Sequence, residues 1–266
     1  MRCEGSVIYS LSVRMITKKV FMMVGLSAVC SANAFGESAD ELIRKGDAHA
    51  QRYEEEAALK HYLAARKMQP SNPRLLAAIS KEYRHLMSDA EEAREKVGLG
   101  AIALMYANQA SAAAPNKPDG HLAVAITQGK LLSYTKGSGD KLERSRQIRA
   151  AAEKVIELDS RNDTAWHVLG CWHKGVAEIG GMKRALGGLV HDIPKSTYEN
   201  AEECFKQAIK LNPKRAMHYI ELGCVYAAMG KEDKAKEMIE YGLSLPNTEK
   251  DDPTTKAKGR QVLASL

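Results

Sequence analysis

The stretch AMHYIELGCVYAAMGKEDKAKEMIEYGLSLP, residues 216–246, decides how the chain is read. A bulky residue, Tyr219, is followed four positions later by Gly223. A second run then carries small residues at Ala235 and Gly242 and stops at Pro246. On two helices joined by a turn, each of these has a packing job. The glycine lets the second helix approach closely, and the small residues let the next helix nest against it. The bulky residue fills the remaining hole, and the proline blocks helix continuation.

The same arrangement recurs upstream. Ala39–Pro70 has Leu42 and Gly46, then Ala58 and Ala65. A split copy has Trp166 and Gly170, then Ala201 and Ala208, ending at Pro213. Two degenerate units lie between. One pairs RLLAAISKEYRHL, starting near Pro73, with GAIALMYANQASAAAP, ending at Pro115. The other pairs GHLAVAITQGKLLSY with RQIRAAAEKVIELDS, where Ser160 takes the proline position. This is the tetratricopeptide pattern of about 34 residues per helical hairpin. The two middle units are longer by about eleven residues, close to three helical turns, so a helical insertion keeps the apolar stripe facing one way. In the fourth unit the extra residues, around EIGGMKRALGGLVHDIP, are expected between the helices. Capping-box spacing is present at Ser88 with Glu91, Asp140 with Glu143 and Ser196 with Glu199. Asp252 as a cap and Pro253 in the first turn predict a short closing helix, as an open stack requires. The expectation is an all-α chain, an α-solenoid of five tetratricopeptide-like hairpins with lengthened middle repeats and a C-terminal closing helix, over residues 39–266.

The N-terminus reads differently. Lys18 and Lys19 precede the apolar run VFMMVGLSAV, and Ala32 and Ala34 have the A-x-A spacing of a cleavage site. Residues 1–34 are therefore read as a secretory signal peptide, with 35–38 as a short linker. A start at Met15 would give a more usual signal length. The expected destination is the periplasm or cell envelope, or secretion. Without residues 1–34 the chain is only mildly basic, so nucleic acid is not an expected partner. Cys171, Cys204 and Cys224 remain, an odd number that excludes a full disulfide framework. No later segment is apolar enough to cross a membrane.

Three stretches invite a chemical reading. His167 and Cys171 are spaced i, i+4 and share a helix face. Two ligands alone do not make a zinc site, which takes four, or three plus water; Cys204 or His191 would have to join, and packing or groove lining is the preferred reading. GLGAIA, residues 98–103, matches a dinucleotide fingerprint, but no strand precedes it. GGMKRALGG, residues 180–188, lacks P-loop spacing; its Lys183 and Arg184 are read as contacts of an insertion loop. G-x-S-x-G, H-E-x-x-H, an EF-hand loop and paired Cys-x-x-Cys are all missing, so no catalytic residue, metal or cofactor is expected. The inner positions of the first helices supply a groove instead: Lys81, Arg84, His85, Leu122, Ile126, Lys130, His167, Cys171, Lys174, Met217, Ile220 and Cys224. This mixture of cationic and apolar groups suits an acidic peptide, or an anionic head with an apolar tail.

AWHVLGCWHKGVAEIGGMKRAL (165–186), IPKSTYENAEECFKQAIKLNP (193–213) and AAMGKEDKAKEMIEYGLSLPNTEKDDPTTKAKGRQVL (227–263) together resemble the regulator of microtubule dynamics family. Trp166-His167, Gly170, Trp172, Arg184-Ala185, Tyr198, Ala201 and Pro213 carry the likeness. The resemblance implies a helical tetratricopeptide-like fold without known enzymatic chemistry. It also implies relatives in animals that are linked to microtubules and organelle membranes, one of them to lipid transfer. The export signal marks this chain as a prokaryotic-looking member sent away from any cytoskeleton. The expected function is a non-catalytic scaffold binding a protein or peptide partner in its concave face. The alternative is a protein of the cell envelope that binds or transfers a phospholipid or other amphiphile.

Overall fold

The computed structural model describes residues 37–185 and 195–266, with the side chains of 181–185 excepted. Residues 1–34, read as a signal peptide, together with His191 and the Gly187-Gly188 pair, fall outside the described residues. Among the described residues the fold is all-α, of the α-solenoid class. The helices are α1 (Ala39–Ala50), α2 (Glu55–Met68), α3 (Pro73–Asp89), α4 (Ala93–Ala113), α5 (Pro118–Leu132) and α6 (Ser138–Leu158). They continue with α7 (Asp163–Ala185), α8 (Tyr198–Leu211), α9 (Ala216–Ala228), α10 (Glu232–Ser244) and α11 (Asp252–Leu263). Consecutive helices pack as five hairpins, α1 with α2 through α9 with α10, and α11 closes on α9 and α10. They form two compact units, one ending at Ala114 and the other running from Pro115 to Leu266.

Small residues set the spacing of the rods. Ala58, Ala65, Ala201, Ala208 and Ala235 have no exposed surface. A methyl group on Gly46 would meet the Tyr62 ring at 2.4 Å, and one on Gly170 would meet the Phe205 ring at 2.9 Å. Helices α9 and α10 touch backbone to side chain at both ends of their crossing. A Cβ on Gly223 would lie 3.0 Å from the Ala235 carbonyl oxygen, and one on Gly242 would lie 3.1 Å from that of Ala216. The middle units are lengthened within their helices, α4 and α6 having 21 residues each.

Several local expectations are corrected. Ser88 does not cap a helix; it lies inside α3 and donates to the Arg84 carbonyl at 3.2 Å. Asp140 lies in the first turn of α6, whose start is set by Gly137 in the left-handed region at φ 87°. The capping box of α8 is one residue on, at Thr197 with Asn200, because Ser196 turns inward to His173 Nδ1 at 2.6 Å. Asp252 is the first residue of α11, and its carboxylate accepts from the Thr248 and Glu249 amides at 2.6 and 2.8 Å, closing the preceding turn. The fourth-unit insertion begins as helix: α7 runs through Gly180 and Gly181 to Ala185, with Val176 and Ala177 buried. Two glycines in a helix lower its propensity without ending it when apolar neighbours are anchored. Trp166, assigned the bulky core slot, packs half-buried against the core cluster of Ile148, Leu169 and Val176, with its indole donating to the Ser160 carbonyl. Trp172 is the buried indole, donating to Ser145 Oγ at 2.8 Å within a cluster of Ile148, Leu169 and Val176.

Candidate functional site

Asp163, His167, Cys171 and Lys174 fall on one face of α7, spaced by four, four and three. Arg215, His218 and Glu221, spaced by three, begin α9 in the same way. The second unit brings these two faces together. His218 Nε2 lies 2.9 Å from Asp163 Oδ2, and the Arg215 guanidinium lies 3.0 Å from the same oxygen. His218 Nδ1 is 3.1 Å from His167 Nδ1, and His167 Nε2 is 3.5 Å from Cys171 Sγ. One proton arrangement links the thiol, both imidazoles and the carboxylate with both imidazoles neutral. The Cys171 thiol donates to His167 Nε2, His167 Nδ1–H donates to His218 Nδ1, and His218 Nε2–H donates to Asp163.

The electrostatics agree. Burial, with the nearby His218, pushes His167 down to about 3. Burial also lowers His218, against the opposing pull of Asp163. Burial and the Glu221 charge push the Cys171 thiol up to about 12. A reactive cysteine needs a lowered pKa, so this thiol is held protonated and unreactive. Asp163 is held at about 2: burial opposes its charge, but the bonds from His218 and Arg215 outweigh it.

This chain predicts a pH dependence. His167 is depressed in the folded state relative to its ordinary 6.5. Its stabilisation is therefore complete above 6.5 and is lost as pH falls toward about 3, because the unfolded chain takes up the proton first. His218 acts in the same direction. The Asp163 contribution is lost only later, between 3.8 and about 2. The unfolding free energy is expected to decline below neutral pH with a slope of up to about 1.4 kcal/mol per pH unit per histidine. His167→Gln should flatten that slope in urea titrations; an unchanged slope would count against the neutral relay.

Beyond Cys171 lies a charged triad. Lys174 Nζ meets Glu221 Oε2 at 2.6 Å, and Lys258 Nζ, from α11, meets Oε1 at 2.5 Å. Burial opposes the Glu221 charge, but the two lysines outweigh it and hold the carboxyl at about 2. Lys174 is raised: burial works against its charge and Glu221 prevails. The triad carries one excess positive charge, and Lys258 presents it outward at 44% side-chain exposure.

The residues anticipated as groove lining divide into several groups. His167, Cys171 and Lys174 lie together as described. Leu122, Ile126 and Lys130 are half-buried on α5, with Lys130 paired to Asp251 at 2.7 Å, and Met217 is half-buried on α9. Ile220 and Cys224 are corrected. Ile220 has 0% exposure and Cys224 is buried, both in a cluster with Leu243, Leu245 and Val262. The closing helix brings Gly259 to within 3.1 Å of Ile220, measured to an added Cβ, so neither residue faces an open wall. In the first unit Lys81 is exposed, but Arg84 and His85 are corrected, being buried at 8% and 7%. Arg84 bonds Ser80 Oγ, and His85 sits against Glu55 and Glu82. Lys183 and Arg184 fall in the last turn of α7, with side chains outside the described residues. Among the described residues no third metal ligand gathers with His167 and Cys171. Sequence reasoning missed Asp163, Arg215, His218, Glu221 and Lys258. The available signal was a polar stripe at 215, 218 and 221 on an otherwise apolar helix.

Comparison with known proteins adds to this geometry. A family model described as regulator of microtubule dynamics protein 1-3 matches residues 37–266. Regulator of microtubule dynamics protein 1 of Rattus norvegicus is 27% identical over 193 residues, covering 72% of this chain and 61% of that protein. The Homo sapiens protein is 26% identical over 193 residues, covering 72% and 60%. The chain thus spans less than two thirds of the length of these relatives. Among solved structures, a thermophilic TPR protein of Thermus thermophilus superposes with a TM-score of 0.62 at 17% identity, covering 84% of this chain and 100% of that one. MamA of Desulfovibrio magneticus gives 0.52 at 15% identity, covering 80% and 97%. At these identities the structural likeness speaks for the fold alone.

Proposed function

Because the chain belongs to the regulator of microtubule dynamics family, with a helical-repeat scaffold as its fold, we propose that it is a non-catalytic binding protein for an acidic protein or peptide segment. The observation that carries this reading is the Lys174–Glu221–Lys258 triad, which joins α7, α9 and α11. Its buried carboxylate orders two ammonium groups and leaves one positive charge in excess. An incoming carboxylate would share Lys258 with Glu221, and the same unit carries half-buried apolar side chains at Met217 and Ile126. Charges of this kind steer and orient a partner, while apolar contact supplies most of the burial energy. The neighbouring thiol and imidazoles, held protonated and neutral, suit a rigid wall better than a nucleophile. Export to the periplasm or envelope is part of the proposal, resting on residues 1–34.

The test uses protein purified from the envelope fraction, its N-terminus read by mass spectrometry, and fluorescent peptides of matched length but opposite charge. Acidic peptides should bind, more weakly as salt rises. Lys258→Glu should reduce their affinity by about ten-fold with the helical circular dichroism unchanged. Equal binding of acidic and basic peptides would overturn the reading. So would a co-purifying phospholipid with no peptide binding.

A further inference from the structure

A second cluster of titratable groups lies in the first unit, away from the triad. Glu55 is the first residue of α2, following a turn in which Tyr53 adopts φ 56°. Glu82 and His85, spaced i, i+3, share one face of α3. The packing of α2 on α3 buries all three, with Glu55 at 7% and Glu82 at 1% exposure. One donor atom from each residue fits within a 4.8 Å group. His85 Nδ1 lies 3.5 Å from Glu55 Oε1 and 3.8 Å from Glu82 Oε2.

These separations are long for N–H···O bonds. They are close to those of donors sharing an ion: bonds of about 2.0–2.2 Å at tetrahedral angles put ligand atoms about 3.3–3.6 Å apart. Two carboxylates brought together out of water repel one another and lose hydration. A divalent cation between them cancels both charges and uses the imidazole nitrogen as well. Tyr53, 41% exposed, sets its ring edge-on to His85, the centroids 5.9 Å apart, so the imidazole is covered on that side by an aromatic side chain that itself meets solvent.

We infer that Glu55, Glu82 and His85 form a binding site for one first-row divalent cation of zinc type, which ties the start of α2 to the second half of α3. The donor set fixes the class. One imidazole with two carboxylates suits zinc, manganese or ferrous iron, whereas cuprous ions favour sulfur and calcium takes six or more oxygens. The inference is independent of the peptide-binding reading, because the two sites share no residue.

The test is a zinc titration of the full chain after chelator treatment, followed by calorimetry and thermal unfolding. Wild type should take up zinc at this site and unfold at a higher temperature with it. Glu82→Gln and His85→Gln should each weaken uptake by about ten-fold or more. His49→Gln and Cys171→Ser should leave it intact. No uptake by the wild type, or uptake unchanged in Glu82→Gln and His85→Gln, would overturn the inference. If those variants do not fold, cobalt bound to the wild type decides. A spectrum of nitrogen and oxygen ligation supports the site, and a thiolate charge-transfer band, placing the ion at a cysteine, overturns it.

Discussion

Phe205→Ala is expected to lower the unfolding free energy by about 3–5 kcal/mol, a large share of what a domain of this size possesses. Phe205 has no exposed surface. Its ring fills the space opposite Gly170 and packs with Leu222, Val225, Tyr226 and Ala235. The His167 ring meets its edge at 5.3 Å. Truncation removes contacts from α7, α9 and α10 at once, and three rods held apart by their own backbones cannot collapse into the gap. The cavity therefore persists, and the cost falls toward the upper part of the range for large-to-small changes. Urea unfolding should show a lower midpoint with an unchanged slope. A loss under about 1 kcal/mol would mean that the ring does not hold the hairpins together.

Gly223→Leu should cost about 3 kcal/mol or more, at or beyond the upper end for overpacking. The first added carbon would stand 2.5 Å from Ile239 Cγ1, 3.0 Å from the Ala235 carbonyl oxygen and 3.2 Å from the Ile239 amide nitrogen. Two of these three are backbone atoms, which no rotamer change can move aside. Helix α10 would have to move off α9, and the closing helix with it, since Gly259 packs on Ile239 from α11. Gly129 serves as the control. It lies in α5 with nothing within 4 Å of an added Cβ, so Gly129→Ala should be neutral or stabilise by about 0.5–1 kcal/mol through helix propensity. Equal effects at the two glycines would show that propensity, not crossing distance, explains their presence. Thermal or urea unfolding of both variants reads the difference.

The fold was legible because its determinants are local and periodic. Gly46, Gly170 and Gly223 each recur four residues after a larger side chain, and each lies at a crossing with its hairpin partner. The alanines of the second helices repeat in step and are fully buried. Helix starts were harder. Ser88, Asp140 and Ser196 have the right chemistry, but a hydroxyl with a competing partner, such as Ser196 with His173, leaves the capping to a neighbour. The glycine pair at 180–181 looked like a loop, yet the anchored Val176 and Ala177 carried α7 through it.

The candidate site was partly legible for a different reason. Repeat register places side chains on the inner or outer face of a hairpin but does not say what the closing helix covers. Ile220 and Cys224 hold inner positions and are nevertheless buried, because α11 lies over them. Lys258 was missed for the same reason: it reaches Glu221 from that helix. His85 and Arg84 followed the register too, and their burial comes from the packing of α2 and α4 on α3, which periodicity alone does not show.

Small residues let the rods nest, and Gly170→Ala measured in two backgrounds tests this most directly. With Phe205 present, the new methyl meets a fully buried ring at 2.9–3.0 Å, and the variant should be destabilised. In the Phe205→Ala background the space is empty, and the same change should stabilise by up to about 1 kcal/mol through helix propensity. A reversal of sign between backgrounds is the predicted result. An effect equal in both, within about 0.3–0.5 kcal/mol, would mean that the two residues do not meet and would contradict the nesting of these helices.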